Sequence, residues 1–442
     1  MEPANSLWAK RDQGYTLRPY QASAVLAAVK FFRGPQRYNA IEVLPTGSGK
    51  SLIIATIAKE LDAPVLIFQP TKEILEQNCA KYLSYGYHSG VYSASVGRKD
   101  ISKVTFATIG SVKNKSDMFR GFPYIIVDEC HFVNPKGGMY ETFLSQLASR
   151  SKVLGLTATP YRLVTDGFGG SILKFLTRTR PRVFEELIYY VQNADLFQQG
   201  YLAKLKYVTA DNFDRGRLQV NSTGADYTDE SVKRYYKDSN FQDGIVSMVR
   251  HAIDDRGRKN ALVFTRFTEE ARYLVERIPD SAIVTAESSK TEREAIMGGF
   301  KSGRIKVVCN VGVLTTGFDY PELETIVLAR PTMSLALYYQ MIGRGIRPHP
   351  KKVYAEIIDL CGNRKLFGNI EDLMIIDGRN GKWFLTGTGG KQLTNIYYDE
   401  KGGIEEDHES MLKKQAERKK NAGRYGKTAW GGKRGYSGRR RS

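Results

Sequence analysis

Cysteine is scarce in this chain of 442 residues, which contains only four. Cys79, Cys130, Cys309 and Cys361 are far apart, and no two of them form a C-x-x-C pair. Paired spacing is what zinc sites use, and dense cysteines are what the disulfide frameworks of small secreted domains need. The sequence therefore argues against both scaffolds and favours a reducing cytoplasm.

Long apolar runs are also missing. No stretch approaches the roughly 18 apolar residues that a membrane-spanning helix needs. Residues 1–16 are polar and of mixed charge, which does not resemble a secretory signal. We therefore expect no membrane partner.

Acidic residues are fewer than basic ones, 47 against 66, which gives a net charge of +19. Residues 411–442 contain 12 of the Lys and Arg residues and a single acidic one, Glu417. Rings lie among these cations, so the segment can neutralise phosphates and stack on bases. We expect a nucleic-acid partner there, with Tyr425, Trp430 and Arg434 as contacts. A solubilising disordered end is the alternative.

The pattern of apolar runs predicts two α/β lobes. Short β-branched runs alternate with helix-like stretches, which favours parallel sheets covered by helices. The predicted strands are 40–44, 65–69, 103–107, 124–127 and 153–156, then 261–265, 282–285, 306–311, 325–328 and 355–359. A helix-like run covers 183–199. The predicted domains are 1–205, 206–380 and a basic tail at 381–442 that is largely disordered.

A glycine-rich loop follows the first predicted strand and opens a helix. Its glycines let backbone N–H groups turn toward phosphate oxygens, and the start of the helix adds a positive dipole end. Lys50 is placed to reach the β- and γ-phosphates of ATP, and Ser51 to ligate Mg²⁺. The predicted phosphate-binding residues are Pro45, Thr46, Gly47, Ser48, Gly49, Lys50 and Ser51.

An acidic pair follows the strand predicted at 124–127. The carboxyl end of a parallel strand faces the crevice where ligands bind. Asp128 is expected to hold Mg²⁺ through water, and Glu129 to orient and deprotonate the attacking water. His131 is expected to couple this pair to the strand end at 157–159, with capping or a purely structural role as the alternative.

These residues resemble the ordered motifs of a superfamily 2 helicase of the DEAD/DEAH-like type. The chain is similar to the restriction-subunit-like (type III res) branch, nearest to RadD-type DNA repair helicases and more loosely to phage UvsW-type helicases. It lacks the cysteine-rich C-terminal region of RadD-type proteins. The matching segments are 17–21 (adenine reading), 45–51 (I), 69–71 (Ia), 108–111 (Ib), 128–131 (II), 156–160 (III), 261–266 (IV), 315–319 (V) and 340–347 (VI).

The resemblance implies two RecA-like lobes with ATP in the cleft between them. Arg344 and Arg347 would then act as arginine fingers on the γ-phosphate, and Gln340 would sense nucleotide or water beside them. The other residues that it implies are Arg18 and Gln21 for adenine, Gly317 and Asp319 for the ribose side of ATP, and Thr71, Thr108 and Thr315 for phosphodiester oxygens.

The implied function is that of an ATP-dependent nucleic-acid helicase or translocase that uses Mg²⁺. DNA is favoured over RNA, in single-stranded or branched form, during repair, recombination or replication. A repair or replication protein is a further expected partner, in the cytoplasm of a bacterium or a phage host. The alternatives are an RNA helicase, an ATP-timed nucleic-acid clamp, and the motor subunit of a restriction or defence complex.

Overall fold

Two parallel sheets organise the chain in the computed structural model, which describes residues 16–165, 171–210, 212–222, 225–313, 320–379 and 381–398. The prediction of two α/β lobes is confirmed. Strands such as Ala40–Val43 and Val65–Phe68 are buried along their whole length, as expected for β-branched runs covered on both faces. No helix in these ranges is both long and apolar enough to cross a bilayer.

The first lobe is built on an eight-stranded sheet of order β10-β1-β7-β6-β2-β5-β3-β4. Only β4 runs antiparallel to its neighbour, and β8 and β9 form a separate antiparallel hairpin. The strands are β1 Ala40–Val43, β2 Val65–Phe68, β3 Gly90–Ser93, β4 Arg98–Lys99, β5 Val104–Ala107, β6 Tyr124–Asp128, β7 Lys152–Thr157, β8 Tyr161–Thr165, β9 Ser171–Phe175 and β10 Glu186–Tyr190. The helices are α1 Pro19–Arg33, α2 Lys50–Leu61, α3 Lys72–Ser84, α4 Ile109–Val112, α5 Met139–Leu147 and α6 Asn193–Gln198.

The second lobe is built on a six-stranded, fully parallel sheet of order β11-β16-β15-β12-β14-β13. Its first strand begins at Leu205, beside the boundary expected at 205–206. The strands are β11 Leu205–Thr209, β12 Ala261–Thr265, β13 Ser281–Val284, β14 Val307–Val311, β15 Thr325–Ala329 and β16 Ala355–Asp359. The helices are α7 Asp229–Asp238, α8 Phe241–Arg250, α9 Thr268–Val275, α10 Lys290–Lys301, α11 Leu335–Ile342 and α12 Asn363–Phe367.

The run at 183–199 differs from its predicted helix. It contains β10, which pairs with β1 at the edge of the first sheet, and then the short helix α6. Leu187 lies opposite Ile41 in that pairing. The open edge of β1 supplies backbone hydrogen-bond partners that a reading of local periodicity does not see.

The C-terminal part also differs from prediction, because residues 381–398 fold instead of joining a disordered tail. Strands β17 Met374–Asp377 and β18 Trp383–Thr386 form a hairpin, and β19 Tyr397–Tyr398 pairs antiparallel with β9 of the first lobe. Leu385, Leu393 and Ile396 are buried. Apolar residues at this density anchor the segment despite its glycines. We call residues 370–398 the clasp; residues 399–442, the rest of the predicted tail, lie outside the described part.

Candidate active site

The phosphate loop joins β1 to α2 and is shaped by two glycines. Gly47 and Gly49 have φ of +82° and +81°, in the left-handed region that side chains disfavour. A Cβ at Gly49 would lie 2.6 Å from Nε2 of Gln21. Within the loop, the backbone N–H of Ser48 donates to the carbonyl of Pro45 at 3.1 Å. The loop therefore forms a turn that a phosphate can approach closely.

Lys50 begins α2 and meets the acidic pair at the end of β6. Its Nζ lies 3.3 Å from Oε1 of Glu129. Glu129 has a φ of +50°, and its backbone N–H donates to Oδ1 of Asp128 at 3.0 Å. A left-handed non-glycine residue stores strain that persists only where the surroundings fix it. That conformation holds the Glu129 carboxylate against Lys50.

Asn78 of α3 connects the two residues expected to hold Mg²⁺. The hydroxyl of Ser51 donates to Oδ1 of Asn78 at 2.6 Å, and Nδ2 of Asn78 is 3.4 Å from Oδ2 of Asp128. One hydroxyl and one carboxylate, held together at a phosphate loop, fit a small cation that also takes phosphate oxygens and water as ligands. The donor set therefore suits Mg²⁺.

The carboxyl groups of Asp128 and Glu129 have different pKa values. Burial raises the pKa of Asp128, and the neighbouring charge of Glu129 adds to this. Burial alone would raise the pKa of Glu129 too, but Lys50 and His131 outweigh it and lower the value. Glu129 is therefore the carboxylate that stays charged near neutral pH.

His131 lies between three of the predicted motifs. Its Nδ1 is 3.3 Å from Oε2 of Glu129, 2.9 Å from Oγ1 of Thr157 and 3.1 Å from Oγ1 of Thr159. Its Nε2 is 3.4 Å from Nε2 of Gln340, which belongs to the second lobe. The imidazole thus links the acidic pair both to the end of β7 and to α11 across the cleft.

A cleft of about 380 Å³ between the lobes brings both sets of residues together. Gly47, Lys50 and Glu129 line it from the first lobe, and Gln340, Arg344 and Arg347 from the second. Burial lowers the pKa of Arg344 and of Arg347 to about 10, so both guanidinium groups remain charged at neutral pH. One buried and one partly buried cation that line the cleft with the phosphate loop are suited to a substrate with several negative charges.

The residues expected to read adenine cluster at the N-terminus of α1. Gln21 lines the cleft, and its Nε2 donates to the carbonyl of Ser48 at 2.7 Å. Tyr20 donates to the same carbonyl at 2.9 Å. The Arg18 guanidinium packs over the ring of Tyr201, 4.4 Å from its centroid. Gln21 thus contacts the phosphate loop directly, whereas the Arg18 guanidinium packs on Tyr201.

The predicted nucleic-acid contacts separate into two groups. Thr71 caps α3, since its Oγ1 accepts from the backbone N–H of Ile74 at 3.3 Å. Thr108 belongs to a hydroxyl cluster with Ser93 at 3.0 Å and Ser111 at 2.9 Å. The other predicted nucleic-acid contacts, which are Thr315, Tyr425, Trp430 and Arg434, lie outside the described residues, as do Gly317 and Asp319, which were predicted for the ribose side of ATP.

Two buried residues at the site have no counterpart among the sequence predictions. Asn78 contacts both Ser51 and Asp128, the two residues expected to hold Mg²⁺. The hydroxyl of Tyr339 accepts from the backbone N–H of Thr46 at 3.3 Å. The one available signal for Asn78 was helical spacing, because Ile74, Asn78, Lys81 and Tyr85 all line the cleft. Tyr339 directly precedes the matching segment 340–347, but the sequence predicts no role for it.

Comparisons with known families cover both halves of this cleft. The model described as "Type III restriction enzyme, res subunit" matches residues 14–162, and that of the "Helicase conserved C-terminal domain" matches residues 244–349. Together they span more than half of the chain. Lys50 and Asp128 fall in the first model, and Arg344 and Arg347 in the second.

Several curated proteins are similar to this chain in sequence, at low identity. A 51.5 kDa protein of a Lactococcus phage (isolate 7-9) is 29% identical over 322 residues, 71% of this chain but only 64% of the phage protein. "DNA 3'-5' translocase XPB2" of Sulfurisphaera tokodaii is 26% identical, covering 76% of this chain and 80% of that protein. "ATP-dependent DNA helicase uvsW" of Enterobacteria phage T4 is 25% identical, covering 77% and 67%. The chain thus spans less than two thirds of the first of these relatives.

A solved structure agrees at the level of the fold. The fragment of a putative HsdR subunit of a type I restriction enzyme from Vibrio vulnificus YJ016 superimposes with a TM-score of 0.60 and 20% identity, covering 89% of this chain and 71% of that one. The resemblance to superfamily 2 and to phage UvsW is confirmed by these matches, and that to RadD-type helicases stays a prediction.

Proposed function

Because this chain belongs to superfamily 2 of the helicases, we propose that it hydrolyses ATP to move along or unwind nucleic acid, with DNA as the substrate. The observation that carries the proposal is the single cleft in which a phosphate loop and an acidic pair face two arginines of the other lobe. Hydrolysis in such a cleft couples to lobe movement, because each lobe supplies part of the site.

Different residues of the chain have different roles in the proposed hydrolysis. Glu129, held charged by Lys50 and His131, accepts the proton of the attacking water. Lys50, Arg344 and Arg347 stabilise the negative charge that develops on the transferred phosphoryl group. Ser51 and Asp128 would hold Mg²⁺, which supplies further charge neutralisation when bound.

His131 gives the proposed mechanism a path between the lobes. It contacts the base Glu129 on one side and Gln340 of α11 on the other. A shift of α11 relative to β6 therefore changes the hydrogen bonds around the base. We infer that lobe closure and water activation are linked through this imidazole.

DNA is proposed over RNA because two of the relatives are named for action on DNA. Single-stranded or branched DNA is the proposed form, and repair, recombination or replication the proposed setting. A repair or replication protein is the further proposed partner, in the cytoplasm of a bacterium or a phage host.

The deciding experiment measures ATPase rate against single-stranded DNA, duplex DNA, branched DNA and RNA, followed by strand displacement. Lys50→Ala is the control for contaminating activity, because it removes the main phosphate cation. We expect DNA to stimulate turnover and displacement to require ATP. Stimulation by RNA alone would move the assignment to an RNA helicase. Stimulation by DNA without displacement would exclude unwinding and leave translocation, an ATP-timed clamp and the motor of a restriction complex as the alternatives.

A further inference from the structure

The clasp returns from the second lobe and attaches to the first lobe at three places. β19 pairs with β9, and Asn395 of the clasp accepts from the backbone N–H of Phe175 at 3.2 Å. Trp383 packs edge-on against Tyr190 with ring centroids 5.5 Å apart. The side-chain amide of Gln192 exchanges two hydrogen bonds with the backbone of Ile375, both 2.9 Å. The clasp is therefore a second connection between the lobes, besides the chain that joins them near residue 204.

A buried relay of hydrogen bonds runs from the clasp to the phosphate loop. Nδ2 of Asn193 donates to the carbonyl of Ile370 at 2.7 Å, and Oδ1 of Asn193 accepts from the hydroxyl of Tyr339 at 3.0 Å. That hydroxyl in turn accepts from the backbone N–H of Thr46 at 3.3 Å. Only one orientation of the Asn193 amide places a donor toward Ile370 and an acceptor toward Tyr339. A buried hydrogen-bond network of this kind fixes the relative positions of its members.

The hydrogen bonds of this relay lie beside a close approach of the two lobes. Gly343 follows α11, and a Cβ there would lie 2.9 Å from Cγ2 of Thr46. The backbone N–H of Ala203 donates to the carbonyl of Ile346 at 2.7 Å in the same region. The bond between Thr46 and Tyr339 is therefore made across the lobes, in the arrangement in which Arg344 lines the cleft.

We propose that the clasp stabilises the arrangement of the two lobes in which Arg344 lines the cleft, which we call the closed arrangement. Asn193 and Tyr339 are then positioning residues, whose hydrogen bonds connect the clasp to the phosphate loop. This inference rests on the proposed ATPase, since it concerns how the two halves of that site are kept in register. Tyr339 and Asn193 affect hydrolysis through the position of Thr46. The chemical roles stay with Lys50, Glu129 and the two arginines.

Tyr339→Phe tests the link to the loop, and Tyr338→Phe is its matched control. Tyr338 is the neighbouring residue on α11, is equally buried, and donates to the carbonyl of Gly368 at 2.9 Å without touching the phosphate loop. Both changes delete one buried hydroxyl, so both should lower the melting temperature. Only Tyr339→Phe should lower kcat, by about two- to tenfold for the removal of one hydrogen bond, with little change in KM for ATP.

Asn193→Asp tests the link to the clasp. It keeps an acceptor for Tyr339 but removes the donor to Ile370, and Gln192→Ala serves the same purpose if that variant does not fold. We expect a fall in kcat of similar size to that of Tyr339→Phe. The double variant Asn193→Asp with Tyr339→Phe should be no worse than the worse single variant, because both break one relay.

Lobe closure itself is measured by the distance between dyes on Glu141→Cys and Lys301→Cys, which are exposed positions on opposite lobes. The four native cysteines are buried and should not compete for the dye. We expect the relay variants to populate a longer distance than Tyr338→Phe does. Equal kcat and equal distance in Tyr339→Phe and Tyr338→Phe would overturn the inference, as would a change in KM alone. A wild-type chain without ATPase activity would instead refute the proposed function, while the dye distance would still decide on the clasp.

Discussion

Glu129 adopts a φ of +50° at the end of β6, where few residues other than glycine are found. The conformation is held by its neighbours, because Lys50 and His131 bind one carboxylate oxygen each. The strain therefore serves to aim a charged oxygen into the cleft. A single residue thus combines backbone strain, a lowered pKa and contact with a histidine that reaches the second lobe.

Glu129→Gln should lower ATP turnover by about a hundredfold or more, because the amide cannot accept the water proton. The isosteric side chain keeps the shape of the site, and Asp128 and Ser51 remain to hold Mg²⁺. The variant should therefore still bind nucleic acid when ATP is present. Steady-state ATPase and filter binding test the two parts, and normal turnover would remove Glu129 from its proposed role.

Arg344→Ala should lower turnover far more than it weakens ATP binding. An arginine that acts on the transferring phosphoryl group contributes about 10³-fold or more to kcat, mainly in the transition state. Arg344→Lys is the matched variant, since it keeps the charge but loses the planar guanidinium group. Its turnover should lie between that of the unchanged protein and that of Arg344→Ala. Single-turnover rates and nucleotide affinity, measured separately, distinguish an effect on turnover from an effect on ATP binding. A defect confined to affinity would contradict the two-lobe site.

Strand β1 carries a buried carboxyl directly before the phosphate loop. Glu42 is fully buried, and neither carboxylate oxygen has a hydrogen-bond partner among the described residues. It lies between Leu156 of β7 and Tyr189 of β10, next to a shift in the register of β10. Burial raises the pKa of Glu42 well above its ordinary value, so the folded chain keeps this carboxyl protonated.

Glu42→Gln should make the stability of the protein less sensitive to pH. The folded state holds the Glu42 proton more tightly than the unfolded state, whose pKa is about 4.3. The contribution of Glu42 is thus fully present below about pH 4 and is lost as pH rises, by up to about 1.4 kcal/mol per pH unit. Denaturant unfolding of both proteins from pH 5 to 9 measures this. Parallel stability curves would show that Glu42 does not titrate in this way.

The clasp shows how an element can escape prediction when its partner is distant in sequence. β19 is two residues long and pairs with β9, more than two hundred positions earlier. Its local sequence is rich in glycine and lysine, which normally favours a loop. The pairing is stabilised by an existing hairpin edge and by apolar residues such as Leu385 and Leu393, which are buried. Such contacts depend on where the second lobe ends in space.

The whole molecule presents two lobes that share one nucleotide cleft, followed by a strongly basic C-terminal sequence. The described chain ends at Tyr398, paired with the first lobe at β9. Residues 411–442, which come later in the sequence and lie outside the described residues, add a net charge of +11.

Deleting residues 411–442 should leave ATP hydrolysis intact but weaken nucleic-acid binding. Fewer counterions are released per complex, so the dependence of affinity on salt should flatten, by about 0.9 in log–log slope for each DNA phosphate that the protein no longer neutralises. The weakening should be similar for all sequences, because phosphate binding and stacking carry little base information. The measurement is affinity against salt concentration for both chains.

A variant that changes the 12 Lys and Arg residues of this segment to Gln, while keeping its rings, separates charge from stacking. If the slope is unchanged in both variants, the segment does not lie on nucleic acid. The solubilising interpretation of the tail would then replace the binding one.

Most of the sheet scaffold could be read from the sequence, because buried parallel strands are short, continuous apolar runs. The predicted strands 261–265 and 355–359 have the same bounds as β12 and β16. The phosphate loop and the acidic pair were also predicted from local patterns, since chemistry of this kind needs particular residues at fixed spacing, and the arginines were implied by the resemblance to superfamily 2. The structure places Lys50, Glu129 and Arg344 in one cleft, while their roles stay predictions.

Only the tertiary structure decided which distant residues meet. Asn78 and Tyr339 carry no local motif, and their importance appears when α3 approaches β6 and α11 approaches the phosphate loop. The edge position of β10 and the path of the clasp follow from long-range pairing in the same way. Sequence determines periodicity and chemistry within a few turns of chain. Contacts between residues hundreds of positions apart depend on how completed lobes pack, which no short window of sequence contains.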